Sequence, residues 1–334
     1  MSAVLQSAPF FALAAAAFML IGSLGAGALR VFGRRALARL APRARYRALF
    51  AVSALPLGAA VWLTAVASLP SLIALVDPSM DHCVSHGGEH AHLCFVHLPG
   101  TAMRGELVGL IVAAVAYMVC RSAGAGLGVL RASRVTRALV RTSQRDESGA
   151  LVVVETARPI CLTVGLMTPR VVVSRGLLAG LTPEEQAVAL THERAHAARR
   201  DALMRLVARA TAALHLPGVG GWLLRELEVA AEQCCDEAAA AAAGDRLLVA
   251  STILKVERLV RASGTSEPAA FADVSVALGT CAVERRVEAL LVAPRVEPSL
   301  RLAGALTVAA LFTALVCADG VHHFAESALS RIAH

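Results

Sequence analysis

Residues 189–196 read Ala-Leu-Thr-His-Glu-Arg-Ala-His, which contains the pattern H-E-x-x-H. On a helix, His192 and His196 lie four residues apart, so both rings project from one face and their nitrogens can bind the same zinc ion. Glu193 is rotated by about 100° from His192 in a helix of roughly 3.6 residues per turn. It would stand beside the metal and accept a proton from the attacking water. The stretch therefore predicts a zinc-dependent hydrolase with its metal ligands on a helix.

The residues on either side of this stretch support a helix. Upstream, residues 182–185 read Thr-Pro-Glu-Glu, a capping box with proline at the first helical position. Downstream, Asp201 follows His196 by five residues, and we expect it on the same helix, as a candidate to hydrogen-bond a ligating histidine. The alternative is a solvated amphipathic helix that carries two histidines by chance. The zinc hypothesis therefore depends on the rest of the chain.

The composition is typical of a membrane protein. The 334 residues are 57% hydrophobic and 17% charged, whereas soluble proteins carry about 25% charged residues. The net charge is +7, and Lys255 is the only lysine. Because the arginines cluster beside apolar runs, we interpret them as topology signals at a membrane face and expect no direct contact with nucleic acid.

Four apolar runs predict membrane spans, at residues 9–29, 49–76, 107–130 and 302–318. A bilayer core requires about 20 residues of helix, and the fourth run is short but uncharged. No basic segment precedes the first run, which favours a retained span over a cleaved signal peptide.

The positions of the arginines predict the orientation of these spans. Residues 30–47 contain many arginines and no acidic residue, and a second group of arginines follows the third apolar run, residues 107–130. The positive-inside rule assigns both groups to the cytoplasm. The chain is then a multi-pass protein of the cell (inner) membrane, with its N-terminus outside and residues 131–301 as a cytoplasmic domain. Residues 319–334 form a short extracytoplasmic tail, in which His322 and His323 are expected to be solvated.

Residues 77–102 form an extracytoplasmic loop without lysine or arginine. Its Cys83 and Cys94 have two candidate roles, a disulfide in an oxidising compartment or metal binding. A local concentration of histidine suggests an extracellular metal site, and the alternative is a polar, disulfide-tied loop without a ligand. The histidines are His82, His86, His90, His92 and His97.

Strands are predicted before the H-E-x-x-H helix. Residues 151–155, 159–163 and 170–174 are rich in β-branched and apolar residues and are separated by turn residues. In many zinc peptidases an edge strand beside the cleft pairs with an extended substrate. We expect Arg170–Ser174 to be that strand; the alternative is an ordinary small sheet that packs on the helix.

A second helix is predicted over residues 222–243, ending before Gly244 as a C-cap. Glu228, Glu232 and Asp236 lie four apart on one of its faces. Two histidines leave a catalytic zinc short of a third protein ligand, and a carboxylate is a usual choice. A further carboxylate can hydrogen-bond a ligating histidine. The spacing leaves open whether Glu228 or Glu232 is the ligand.

Four motifs of this domain occur together. They are Thr-Pro-Glu-Glu with His-Glu-Arg-Ala-His in residues 182–196, His-Leu-Pro at 215–217, Glu-Gln-Cys-Cys-Asp-Glu-Ala-Ala at 232–239 and Arg-Arg-Val-Glu-Ala-Leu-Leu at 285–291. In this combination the chain resembles the BlaR/MecR family of membrane-bound zinc metallopeptidases. The third motif is similar to that family's E-x-x-C-D-x-x-A, and the fourth to its R-R-V-x-x-L-L.

The resemblance implies roles for individual residues. Glu232 would be the third zinc ligand beside His192 and His196, Asp236 would hydrogen-bond a ligand, and Glu193 would be the catalytic base. The fold implied is an α-helical polytopic membrane protein of four spans, with an α+β zincin-like (gluzincin) metallopeptidase domain between spans three and four. One catalytic Zn²⁺ is the implied cofactor.

The resemblance also implies a partner and a role. The substrate would be a cytoplasmic repressor of the BlaI type, so that the protease transmits a signal across the bilayer to transcription. Antibiotic receptors of the family carry a penicillin-binding sensor domain after the last span, which is not expected here. Their S-x-x-K acylation motif is also excluded, because Thr252 stands three residues before the only lysine, Lys255.

Two alternative functions remain at this stage. One is a quality-control membrane protease of the HtpX kind, which needs no dedicated partner. The other is a non-catalytic membrane receptor or metal sensor, in which the loop 77–102 binds the ligand. The cytoplasmic cysteines, Cys161, Cys234 and Cys235, are expected to be buried thiols.

Overall fold

The first part of the chain is helical. The computed structural model describes residues 3–80, 93, 103–141, 144–145, 151–263, 280–292 and 300–333. The N-terminal helices are α1 (Ala3–Phe32), α2 (Arg34–Arg39), α3 (Pro42–Ser53), α4 (Leu55–Ala67), α5 (Leu69–Val76) and α6 (Gly105–Arg141), with a 3₁₀ turn at Pro78–Met80. The cysteines and histidines of the loop 77–102, and with them the predicted disulfide or metal site, lie outside the described residues.

The second part combines a small sheet with helices. The strands are β1 (Gln144–Arg145), β2 (Leu151–Val154), β3 (Cys161–Val164) and β4 (Arg170–Ser174). The helices are α7 (Arg175–Gly180), α8 (Pro183–Arg199), α9 (Asp201–Ala212), α10 (Val219–Ala243), α11 (Arg246–Ala262) and α12 (Thr280–Leu291). Two more helices follow, α13 (Leu300–Val316) and α14 (Ala318–Ala333).

Among the described residues, Ser7–Phe32 in α1 is the one helix that is long and apolar enough by itself to cross a membrane. Up to two further spans arise if bent helix pairs are counted, namely Pro42–Ser53 with Leu55–Ala67, bent by 52°, and Thr307–Thr313 with Ala318–Arg331, bent by 65°. The predicted second span, residues 49–76, is therefore not one continuous helix. Pro56 and Pro70 each stand in the first turn of a new helix, because proline lacks the N–H that a helix interior requires.

The C-terminal tail is also a helix. Helix α14 packs against α1 and α4, and Ala325 and Leu329 share an apolar cluster with Phe10. His322 is fully buried, and its Nδ1 lies 2.5 Å from the carbonyl oxygen of Ala67. The prediction of a solvated His322 was therefore wrong, because the C-terminal helix packs on α1 and α4 instead of projecting into solvent.

The sheet has the strand order β1-β2-β4-β3. β4 pairs with β2 in parallel and with β3 in antiparallel fashion. The prediction that Arg170–Ser174 is the edge strand was therefore wrong, since both of its edges are paired. Residues 171–174 of this strand are all buried, which is typical of a central strand covered on both faces. Among the described strands, β3 is the edge strand on the side of α8.

Two apolar clusters fix the helices that carry the candidate site. Val188 of α8 packs with Ala239 of α10, Val249 of α11 and Leu290 of α12. A second cluster joins Leu49 of α3 and Ala26 of α1 to Trp222, Leu223 and Leu227 of α10. Helix α10 is thus held by α8, α11 and α12 along its C-terminal half and by α1 and α3 along its N-terminal half.

Candidate metal centre

Local sequence determines where helix α8 begins and ends. The Thr182 hydroxyl accepts a hydrogen bond from the backbone N–H of Glu185, and the Glu185 carboxylate accepts one from the N–H of Thr182, which confirms the capping box. The helix ends at Arg199, because Arg200 adopts the left-handed conformation with φ 53° and ψ 45°. Asp201 therefore begins α9, and the expectation that it continues the same helix was wrong. This turn directs the Asp201 carboxylate back toward His196.

Three side chains converge in front of α8. The Nε2 atoms of His192 and His196 are 3.1 Å apart. Glu232 Oε2 lies 3.4 Å from the Nε2 of His192, and Glu232 Oε1 lies 3.4 Å from the Nε2 of His196. Zinc bonds of about 2.0–2.2 Å in a tetrahedron require donor separations of about 3.3 Å. The three side chains therefore offer donors at separations that suit one face of a zinc tetrahedron, which would leave the fourth position for water or substrate.

Each histidine is oriented by a carboxylate on its other ring nitrogen. Asp236 Oδ1 lies 3.0 Å from Nδ1 of His192, and Asp201 Oδ2 lies 2.7 Å from Nδ1 of His196. With Nδ1 as a donor to these carboxylates, the Nε2 lone pair of each neutral ring is available for a metal. The structure thus brings both predicted supporting carboxylates to the histidines.

Helix α10 supplies the carboxylate that reaches both histidines. It begins at Val219, slightly earlier than predicted, and ends at the predicted C-cap Gly244, whose φ is 69°. Of the two alternatives left by the spacing, Glu232 is the one that contacts the histidines. Glu228, one turn earlier, lines a second, smaller cavity together with Tyr46, behind Asp201 and Glu232, which line both cavities.

The charges at the site stabilise one another. Burial alone would lower the pKa of His192, but its hydrogen bonds with Asp236 and Glu232 raise the pKa above the ordinary value. Burial would also lower the pKa of His196, yet Glu232 and Asp201 raise it well above that value. The opposite holds for Glu232: burial would raise its pKa, but His196 and Arg286 hold it well below the ordinary range.

Arg286 of α12 is a site residue to which the sequence analysis gave no role. Its Nε and Nη2 donate to the two oxygens of Asp236 at 2.8 and 2.7 Å, and its Nη1 lies 3.2 Å from Glu232 Oε2. Burial would lower the pKa of this guanidinium, but the two carboxylates raise it. The signal in the sequence was the Arg-Arg-Val motif at 285–287, whose spacing does not reveal a partner 50 residues away.

The centre opens into a cleft of about 210 Å³ between β3, α8 and α11. Glu193 and Thr163 face this cleft, and the Thr163 hydroxyl is 2.8 Å from both Glu193 Oε2 and the Glu193 carbonyl oxygen. Thr163 was the second site residue that the sequence analysis missed. The carboxylate of Glu193 is thereby held on the cleft wall beside the convergent donors.

The described cysteines near the centre do not form a better metal site. Cys234 and Cys235 are buried as expected, whereas Cys161 is only partly buried and lines the cleft. His196, Asp201 and Cys235 also lie within 4.8 Å of one another. Burial, however, raises the pKa of the Cys235 thiol to about 11, which disfavours the thiolate that a metal requires.

Comparison with known proteins identifies one relationship. The sequence model of the family described as BlaR1 peptidase M56 matches residues 101–290, which is more than half of the chain. No curated protein and no solved structure matches the chain.

Proposed function

Because this chain belongs to the BlaR1 peptidase M56 family of membrane metallopeptidases, we propose that it is a zinc endopeptidase that cleaves a cytoplasmic repressor of the BlaI type. The observation that carries the enzymatic part is the triangle of His192, His196 and Glu232, whose donor separations of 3.1–3.4 Å fit a tetrahedral zinc site with one open position. The repressor substrate is supported by the family relationship alone.

A zinc ion held by these three side chains would polarise the scissile carbonyl and lower the pKa of the attacking water. Glu193 is the base that takes the proton of this water at a carboxylate oxygen and then passes it to the leaving amine nitrogen. Thr163 holds Oε2 of Glu193, so that one carboxylate oxygen has a fixed position. Asp236 and Asp201 keep His192 and His196 in the ligating orientation.

Strand β3 is the element on which an extended substrate would pair. Cys161, Leu162 and Thr163 line the cleft, and among the described strands only β4 pairs with β3. A peptide added as a further strand along β3 would use backbone hydrogen bonds for affinity and side-chain pockets for selectivity. Its backbone would then run past Glu193, which touches the same strand through Thr163.

The proposed topology places this domain in the cytoplasm, between the third and fourth spans. The arginine-rich segments at 30–47 and after residue 130 support this orientation. The exposed apolar side chains of α6, such as Leu110, Val112 and Val119, support a lipid-facing third span. Access to a cytoplasmic repressor depends on this orientation.

A non-catalytic receptor is the competing function, and Glu193 is the residue that distinguishes the two. A purely structural metal site needs no base, yet Glu193 stands on the cleft wall with its carboxylate oriented by Thr163. Structural zinc sites are usually closed by four protein ligands, whereas three ligands and an open position are typical of catalysis.

The experiment is zinc analysis together with a repressor-cleavage assay on the full chain purified in detergent. Wild type should hold one zinc and cut, Glu193→Gln should hold zinc without cutting, and Glu232→Ala should lose both. Zinc-free wild type would refute the metal centre. Full activity of Glu193→Gln would refute the assigned base, and an uncut repressor beside a cleaved generic peptide would refute only the substrate.

A further inference from the structure

The two metal-site histidines are supported by two chains of contacts with the same construction. His196 is held by Asp201, and Asp201 Oδ1 accepts a hydrogen bond from Arg199 Nε at 3.1 Å. His192 is held by Asp236, which receives the paired hydrogen bonds of Arg286. Each histidine therefore has its own carboxylate and each of these carboxylates its own arginine, and Arg286 Nη1 additionally lies 3.2 Å from Glu232 Oε2.

The first chain continues from Arg199 to helix α3. The guanidinium carbon of Arg199 lies 4.6 Å from the centroid of the Tyr46 ring, within the range of a cation–π contact. Arg199 is the last residue of α8 and immediately precedes the left-handed Arg200. The ring of Tyr46 therefore fixes the side chain that orients Asp201.

The second chain of contacts, from His192 through Asp236 and Arg286, also leads to helix α3 and ends at Arg45, next to Tyr46. Glu226 accepts two hydrogen bonds from Arg285, at 3.1 and 2.7 Å, and it also pairs with Arg45. Arg285 precedes Arg286 on α12, so the pair with Glu226 fixes the helix that carries Arg286. The Arg45 side chain is only 8% exposed, and burial strengthens this ion pair relative to one in solvent.

Helix α3 is itself firmly attached to the peptidase. Leu49 belongs to the apolar cluster that includes Trp222 and Leu227 of α10, and His215 Nε2 lies 3.1 Å from the carbonyl oxygen of Ser53. Just after Ser53, α3 meets α4 at a bend of 52°, and the pair is a candidate membrane segment.

We propose that Arg199 and Arg286 are positioning residues of the metal centre and that one turn of helix α3, at Arg45 and Tyr46, seats both of them. Displacement of α3 loosens the orienting partners of both histidines at once, so the centre is complete only while the peptidase helices are docked on this membrane-side helix. This inference rests on the proposed metal centre, and it adds the path by which the membrane region acts on that centre.

The test measures metal binding to the full chain in detergent, with Co²⁺ as the probe because its visible spectrum reports coordination. Arg199→Gln and Arg286→Gln should each weaken Co²⁺ affinity by about tenfold to a hundredfold, as measured for groups that orient ligands, and should change the spectrum of the bound ion. Arg175→Gln is the matched control, because Arg175 forms an exposed ion pair with Glu155 away from the centre. It should bind Co²⁺ as wild type does.

Double-mutant cycles separate positioning from a general loss of structure. Tyr46→Leu should weaken Co²⁺ binding by about threefold to tenfold in the wild-type background and have no further effect in Arg199→Gln. Glu226→Gln should likewise weaken binding in the wild type but not in Arg286→Gln. Additive effects, or an unchanged spectrum in both arginine variants, would overturn the inference. Failure of wild type to bind Co²⁺ would instead overturn the proposed metal centre.

Discussion

Replacing Thr163 by valine should lower kcat for peptide cleavage and leave bound zinc in place. The hydroxyl lies 2.8 Å from Glu193 Oε2 and 2.8 Å from the Glu193 carbonyl oxygen, and it has one proton to donate. A hydrogen bond to a charged group contributes about 1.5–3 kcal/mol, and each ~1.4 kcal/mol in the barrier changes the rate tenfold. Because one proton serves two acceptors, we expect the lower end of this range, about a tenfold loss.

The assay compares kcat, KM and zinc content for Thr163→Val, Thr163→Ser and wild type. Valine keeps the β-branched shape that suits a strand, and serine keeps the hydroxyl, so Thr163→Ser should stay close to wild type. Thr252→Val is the matched control: Thr252 lines the same cleft, but its hydroxyl donates to the Leu248 carbonyl of its own helix at 2.7 Å. It should leave kcat unchanged.

Thr163→Val cutting as fast as wild type would show that Glu193 needs no fixed orientation. A loss of activity in Thr252→Val as large as that in Thr163→Val would show that the effect does not come from the bond to Glu193. Loss of zinc in Thr163→Val would assign the threonine to the metal centre itself and not to the base.

Four further predictions concern the metal, the turn beside it and the dependence of stability on pH. Glu232→Ala should abolish stoichiometric zinc binding, whereas Glu228→Ala should keep one zinc per chain, because only Glu232 reaches both histidines; metal analysis after gel filtration decides. Arg200→Gly should raise the free energy of unfolding by about 0.5 kcal/mol, because glycine adopts the φ of 53° without strain, although it also increases the entropy of the unfolded chain. Chemical denaturation measures this, and a lower free energy of unfolding would contradict the prediction. Zinc binding near pH 7 should release protons, because the pKa values of His192 and His196 are raised in the metal-free protein and both rings must be neutral to bind. Calorimetry in buffers of different ionisation enthalpy measures the number of protons released. If no proton is released, the pKa values of the two histidines are not raised. In the metal-free protein, protonated His192 and His196 stabilise the fold, because their pKa values are raised on folding. This stabilisation is complete below the ordinary histidine pKa of about 6.5 and is lost as the pH rises through the raised pKa values.

The local features of helices α8 and α10 could be predicted because they depend on neighbouring residues in the chain. The capping box at Thr182 and Glu185 is satisfied as expected, and Gly244 ends α10 in the left-handed conformation. Helical periodicity also predicts that His192 and His196 share a face. Helix α8 accordingly carries both rings toward Glu232.

Contacts between distant segments could not be predicted from spacing. The break between α8 and α9 depends on the left-handed conformation of Arg200, which non-glycine residues seldom adopt. The sequence analysis therefore wrongly predicted one helix through Asp201. The edge of the sheet was misassigned for a related reason: a strand's neighbours depend on the sheet order, and Arg170–Ser174 is paired on both sides.

The sequence by itself determined the chemistry that this chain carries: two histidines and an acid on helices, apolar runs beside arginines, and motifs that identify a peptidase family. Only the tertiary structure decided how that chemistry is assembled. It placed Glu232, which the family motif had already implied, against both histidines, set the Thr163 hydroxyl on the Glu193 carboxylate, and brought Arg286 to Asp236 from 50 residues away. The physical reason is that ligand geometry and buried charge pairing depend on distances of a few ångströms between elements, and periodicity along one element does not contain them.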